Sequence, residues 1–413
     1  MNFIGMKKLL ALLYIIAALS AKADYWTQKA DYTGGGRLYT FSFSIGSKGY
    51  VGCGHDNVTN VYNDFWEYDP LMNVWTQKAN FAGNSRLFAI GFSIGNKGYA
   101  GLGNTSFSAN SALQEIWEYD TTSNVWTQKA NFGGGLRCCP SVFTLGSKSY
   151  VGMGSDTVNN SYNDLWEFDP SNNIWTQKTN LPGAARSFSS AFSAINKGYI
   201  TTGITTGLLF LTDLWEFDAV INSWTQKAFL PTSGRAEAVA FSICDKGYLG
   251  TGYAMFIGVF NDFWQYEPSS NQWTQKANVG GSPRLAAARF TIGAKGYVGL
   301  GRYSSTAFVD FWEYTPDSAC ATGIEEIANN NFQFSISPNP ASEFIVISSE
   351  FAVKEKIEIT ITDINGKKVF AQHLTSYLRH LTSIIDICTI PNGIYFVAVT
   401  NGNQKAVRKF IKN

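Results

Sequence analysis

From residue 25 to residue 316, short apolar runs of strand length alternate with polar breaks rich in Gly, Asn, Asp and Pro. An apolar stretch such as Leu38 to Ile45 leads into a tight turn at Ser47-Lys48-Gly49, and a second run, GYVGCG (49–54), follows. A loop of variable composition then reaches FWEYD (65–69), and a fourth run, VWTQK, closes the unit. Runs of this length, enriched in aromatic and β-branched residues and bounded by turn formers, predict β-strands. Four in succession predict an antiparallel meander.

The unit repeats. WTQK begins at Trp26, Trp75, Trp126, Trp175, Trp224 and Trp273, at intervals of 49 residues with one of 51. A period in the forties with four strands per unit predicts the blade of a β-propeller. All 12 tryptophans fall at two positions of the repeat, one in the third strand (Trp66, Trp117, Trp166, Trp215, Trp264, Trp312) and one in the fourth. Blades stacked around a ring bury both sheet surfaces and widen outward, so these indoles are expected to pack between blades. The first WTQK lacks three preceding strands, whereas the last unit stops at Tyr314 without a fourth. The amino-terminal strand is therefore expected to complete a sixth blade and cover both edges.

These residues resemble the kelch-repeat family, whose motif places an Arg before the first strand, glycines at the end of the second, an acid and an aromatic in the third and a Trp in the fourth. The resemblance spans about 290 residues, from Tyr25 to Pro316. It departs where the family's adjacent glycines stand apart, as Gly52-Cys53-Gly54, and where blade four has Thr201-Thr202-Gly203. A local change in the backbone of the second strand is expected there. The resemblance implies an all-β, six-bladed kelch-type propeller.

Beyond Pro316 the composition changes. Residues 317–331 read as a linker. FQFSISPNPASEFIVIS (332–348), IEITITDINGKKV (357–369) and the run from Gly393 to Asn413 then alternate with period two, with hairpin signals at Asn365-Gly366 and Asn401-Gly402. A small immunoglobulin-like β-sandwich over 332–413 is expected. Pro338-Asn339-Pro340, Asp363 with Asn365-Gly366-Lys367, Pro391-Asn392-Gly393 with Tyr395, and Lys409-Phe410-Ile411-Lys412 resemble the type A C-terminal sorting domain of the type IX secretion system of Bacteroidota. The resemblance implies carriage across the outer membrane, with the secretion machinery as partner and a secreted or cell-surface destination.

The amino terminus fits that route. Lys7 and Lys8 precede an apolar run from Leu9 to Leu19, and Ala21-Lys22-Ala23 offers small-x-small cleavage chemistry, so 1–23 is expected to be a signal peptide. The expected domains are thus 1–23, the propeller 24–316, the linker 317–331 and the tail 332–413, with no membrane span in the mature chain. Its six cysteines do not recur at the repeat period, so most are expected to be small buried residues rather than a disulfide frame. With 32 basic and 31 acidic residues, the chain carries no charge excess that would favour nucleic acid.

Catalytic chemistry is sparse. Galactose oxidase, a kelch relative, holds copper with two His and two Tyr, but this propeller has one His, His55, so neither that site nor a Ser-His-Asp arrangement is expected. No metal, no cofactor and no catalytic residue is expected. Lys29, Glu67, Arg37 and Asp64 recur in nearly every blade and are expected to be structural, in hydrogen bonds and ion pairs between blades. N-acetylneuraminate epimerase, another kelch relative, needs only acid-base groups around a sugar, for which Glu237 beside Arg235 is the unpaired acid on offer. Strand order places the variable loops and the six arginines at one end. Recognition of a protein or glycan is expected there, through Arg37, Arg86, Arg137, Arg186, Arg235 and Arg284 and the loop aromatics Tyr62, Phe107, Tyr162, Phe210, Tyr253, Phe256 and Tyr303. The principal expectation is a binding protein, and the alternative is a sugar mutarotase.

Overall fold

The computed structural model describes residues 23–317, 334–349, 357–363, 367–374, 381–401 and 404–412. The expected signal peptide (but for its last residue), nearly all of the expected linker and the two Asn-Gly turns (but for Asn401) lie outside them. Two compact units divide between Cys320 and Ala321.

The first unit contains six four-stranded antiparallel sheets. In five of them the strands follow chain order, as in Phe41–Ile45, Lys48–Gly52, Phe65–Asp69 and Val74–Gln77. The sixth takes Ala288–Ile292, Lys295–Gly299 and Phe311–Thr315 from one end of the chain and Tyr25–Lys29 from the other. Trp26 pairs with Tyr314 in that junction, so the amino-terminal strand closes the ring. The first strands of successive sheets abut in circular order, with the last against the first.

Large and small residues interlock at the blade interfaces. Phe43, Phe143, Phe192, Phe241 and Phe290 lie on Gly98, Gly198, Gly247, Gly296 and Gly49 of the following blade, and a methyl group on Gly98 would sit 2.3 Å from the Phe43 ring. Sequence assigned Gly49 and Gly98 to tight turns. They are instead strand residues, small because a neighbour's ring fills the space. The third blade has Ser149 at this position, fully buried and bonded to Thr144 Oγ1 at 2.7 Å.

Further out, the fourth-strand tryptophans each donate an indole N–H to the preceding blade, as Trp75 does to Ala30 O at 3.1 Å and Trp126 to Ala79 O at 3.3 Å. Trp126 also packs edge-on against Phe65 and Phe81 at 4.9 and 5.0 Å. The Asn two residues before each of these indoles, such as Asn73 at φ 54°, occupies a left-handed turn position and accepts the Ala30 N–H at 2.9 Å. At the ring closure no turn precedes Trp26, and Asp24 accepts from Ala277 N at 2.7 Å in its place.

The spaced glycines have a backbone explanation. Cys53 and Gly54, at φ 60° and 94°, are consecutive left-handed residues, and a Cβ on Gly54 would approach Leu38 O to 2.8 Å. Cys244, expected among the small buried residues, is disulfide-bonded. The other described cysteines are free, and Cys388 is exposed.

The second unit is a sandwich of a three-stranded and a four-stranded sheet sharing one core, with Ile345, Ile347 and Ile385 facing Ile359, Ile361, Val397 and Phe410. Its motif residues hold the chain end. Asn339 accepts from Ile411 N at 2.9 Å and donates to Lys409 O at 3.2 Å, and Tyr395 donates to Pro391 O at 2.8 Å.

Trp126 is 6% exposed, whereas Trp224 is half-buried, with its interblade bond nearer to solvent. Trp126→Ala should lower unfolding free energy in chemical denaturation by about 3–5 kcal/mol, and Trp224→Ala by clearly less; equal losses would contradict interblade packing as the role of these indoles.

Candidate functional site

The six arginines are the largest fully buried side chains of the propeller, each at most 1% exposed. Each guanidinium meets the acid before its own blade's third strand. Arg137 contacts Asp164 through two bonds of 2.7 and 2.9 Å, and Arg186 contacts Asp213 through two of 2.6 and 2.7 Å. Each also donates to the carbonyl of the left-handed residue that follows the second strand, as Arg137 does to Met153 O, between Gly152 and Gly154, at 2.7 Å. Burial alone would push the carboxyls of Asp213, Asp262 and Asp310 upward, but the guanidinium beside each holds it below the ordinary aspartate value. In blade two the acid is Glu115, which makes one contact of 2.8 Å with Arg86 and leaves the Trp117 indole N–H without a partner. In the other five blades that indole donates to the clamp Asp, as Trp66 does to Asp64 at 2.9 Å.

This placement corrects the expectation that the arginines face a ligand. Their terminal amino groups are spent on bonds inside the blade, and the Nε of Arg37 and Arg137 is buried without a partner rather than turned to a ligand. The recurring charged residues pair mostly within blades: Lys178 lies 3.0 Å from Glu167 on the adjacent strand, and Tyr150 donates to the same carboxylate at 2.8 Å, whereas Lys276, whose blade has Gln265 in place of the acid, reaches Asp317 at 2.7 Å.

The loop aromatics divide into two groups. Tyr62 and Tyr162 lie flat over the Arg37 and Arg137 guanidinium groups at 3.9 and 4.0 Å, and Phe210 and Tyr253 meet edge-on at 5.4 Å. Phe256 and Tyr303 point outward, with Phe256 99% exposed, while Phe107 keeps one face in solvent and packs edge-on against His55 at 4.7 Å and Phe88 at 5.8 Å. The other loops expose Val58, Val158, Leu208 and Leu209, so every variable loop presents a large apolar side chain to solvent.

Inside the rim of loops lies a collar that sequence reading did not identify. Tyr39, Phe88, Cys139, Phe188, Glu237 and Ala286, each two residues past a clamp arginine, all have left-handed φ values of 54–61°. Each donates its N–H to the carbonyl of its counterpart in the preceding blade at 3.1–3.3 Å, and the last bond, Tyr39 N to Ala286 O, closes a circle of six. The backbone of the collar is symmetric and its side chains are not. The signal was the column itself, a position after each arginine that changes chemical type from blade to blade and includes a single acid.

Glu237 is the acid of this collar. It lines a cavity of about 110 Å³ with Tyr39, Phe88, Cys139, Phe188 and Arg289. Tyr39 donates to Glu237 Oε1 at 3.2 Å, while Oε2 has no partner. Burial pushes the carboxyl up to about 7, against smaller opposing effects from the Tyr39 hydrogen bond and the Arg302 charge. A carboxyl so placed can give or take a proton near neutral pH. Beside it, the Cys139 thiol donates to Cys138 Sγ at 3.3 Å and holds that thiol down at about 7, while burial pushes Cys139 up. Among the described residues no group of three His, Cys, Asp or Glu is arranged to hold a metal ion.

Comparison with known proteins agrees with this architecture. Residues 136–301 match the KLHDC2/KLHL20/DRC7 Kelch-repeats domain, and residues 335–413 match the Secretion system C-terminal sorting domain. The solved structure of YjhT superposes with a TM-score of 0.59 at 15% identity, over 68% of this chain and 95% of that one. No curated protein matches in sequence. Residues 136–301 thus carry kelch repeats within the propeller, and residues 335–413 form a type IX secretion sorting domain, which directs the protein to the cell surface or the exterior.

Because the folded carboxyl of Glu237 titrates near 7 rather than 4.5, the native state keeps its proton while the unfolded chain loses it. The contribution of Glu237 to stability is therefore fullest below pH 4.5 and is lost as pH rises through 7. Glu237→Gln should melt above the wild type at pH 8, and the gap should close towards pH 4.5; a gap independent of pH would place the carboxyl in an ordinary environment.

Proposed function

We propose that this exported propeller is a recognition module without catalysis of its own, which binds a protein or glycan partner across its variable-loop face. The observation that carries the reading is the rim of exposed apolar side chains, at least one per loop, standing on a frame whose recurring arginines are buried and paired with acids inside the blades. Exposed aromatics such as Phe256 and Tyr303 supply contact area at small entropic loss and stack on sugar faces. The tail takes no part in recognition and serves the secretion machinery.

A second reading, a carbohydrate-active enzyme of the mutarotase type, is favoured by Glu237 alone. Its unpartnered Oε2 lies at the cavity and its proton is labile near neutrality, as transfer to a sugar ring oxygen requires. The two readings separate on the mature chain by a glycan and surface-protein array combined with an anomer-exchange assay. Retention of a ligand that weakens at least tenfold in Phe256→Ala/Tyr303→Ala, without accelerated exchange, is the expected result; accelerated exchange abolished by Glu237→Gln would install the enzyme reading instead.

Deletion of residues 332–413 should leave the propeller inside the outer membrane, as measured by surface protease accessibility. Normal surface display of the truncated chain would remove the sorting role of the tail.

A further inference from the structure

The inner strands carry a second column that breaks the sixfold pattern. Five residues past each clamp arginine stand Ser42, Gly91, Val142, Ala191, Ala240 and, in the last blade, Arg289. Five are small or apolar and one is a cation. All line the axial lumen, and Arg289 borders both the cavity beneath the collar and a second one of about 210 Å³ below it.

Unlike the clamp arginines, Arg289 has no carboxylate partner among the described residues. Its Nε donates to Ala240 O at 2.7 Å across the blade interface. Its backbone is pinned by Ser42, whose hydroxyl donates to Arg289 O at 2.6 Å and accepts from Arg289 N at 3.1 Å. The terminal amino groups have no acceptor among the described residues. They are not sealed off, because the side chain's remaining exposure is to the lumen. The next turn of lining, seven residues past each clamp arginine, is hydroxyl in every blade: Ser44, Ser93, Thr144, Ser193, Ser242 and Thr291.

A guanidinium stays charged at any physiological pH and so cannot escape an apolar enclosure by losing its proton. A cation enclosed by protein is expected to have a counter-charge, and among the described residues none pairs with it: Glu237, which lines the same cavity, takes its hydrogen bond from Tyr39. Two free donors in a fixed plane match the two oxygens of an oxyanion, and hydroxyls can complete its shell without adding charge. We infer that the axial lumen at Arg289 is a binding site for a small oxyanion, a carboxylate or phosphate group, whether a free ion or the anionic end of a larger solute. This site is separate from the loop face and stands whether or not the loops bind a partner.

The test titrates the mature chain with sodium acetate and, separately, sodium phosphate at constant ionic strength in Tris buffer, by calorimetry and by thermal shift. The expected result is saturable binding of at least one probe at one site per chain. Arg289→Met should weaken it at least tenfold and, without anion, melt no lower than the wild type, because an unpaired charge has been removed. If Arg289→Met does not fold, Arg289→Lys serves: it keeps the charge, loses the planar fork and should bind with intermediate affinity. Binding unchanged in either variant, or no saturable binding of either probe to the wild type, would overturn the assignment; the choice between acetate and phosphate identifies the anionic group.

Discussion

The propeller depends on one residue per blade, the buried arginine. Its side chain joins the entry to the first strand with the acid before the third, and its backbone carbonyl accepts from the left-handed glycine of the preceding blade, as Arg186 O does from Gly154 N at 2.8 Å. A single residue thus fixes the geometry within its own blade and the seam to the neighbouring one. Removing one partner of such a buried pair leaves a charge without compensation and typically costs about 3–5 kcal/mol. Blade two, where Glu115 makes one contact in place of two and orphans an indole N–H, shows how closely the aspartate length suits the other five.

What the clamp holds in place is a set of positions with constant backbone and free side chains. Two residues on, the chain enters the left-handed collar, and five on, it lines the lumen. Neither column bears on blade packing in the way the Phe-on-Gly contacts do, so both can vary. The repeat therefore confines chemical individuality to the loops, the collar and the lumen, where Phe256, Glu237 and Arg289 stand. The ring serves as a rigid mount, and the axis and its rim are where solutes can be told apart.

The tail follows a different logic. Its motif residues tie the end of the chain back onto the sandwich, with Asn339 gripping the final strand through both halves of its amide.

Period, strand count, ring closure and the existence of the tail were legible in the sequence, because each is a regularity along one dimension: a spacing, an alternation or a missing partner at the two ends. The candidate site was legible only in part. Loop aromatics could be named, but not which of them turn inward onto arginines, as Tyr62 and Tyr162 do. The arginines looked ligand-facing because nothing local in the chain announces burial; only the fold brings the acid 27 residues downstream into bidentate reach of Arg137. Gly98 looked like a turn because its reason for being small is a phenylalanine 55 residues earlier. The sequence alone determined the architecture, since repetition of one unit leaves few ways to bury its faces. The tertiary structure decided which charges are spent and which remain, since pairing is a matter of distance in space, and there Arg289 and Glu237 differ from their counterparts in every other blade.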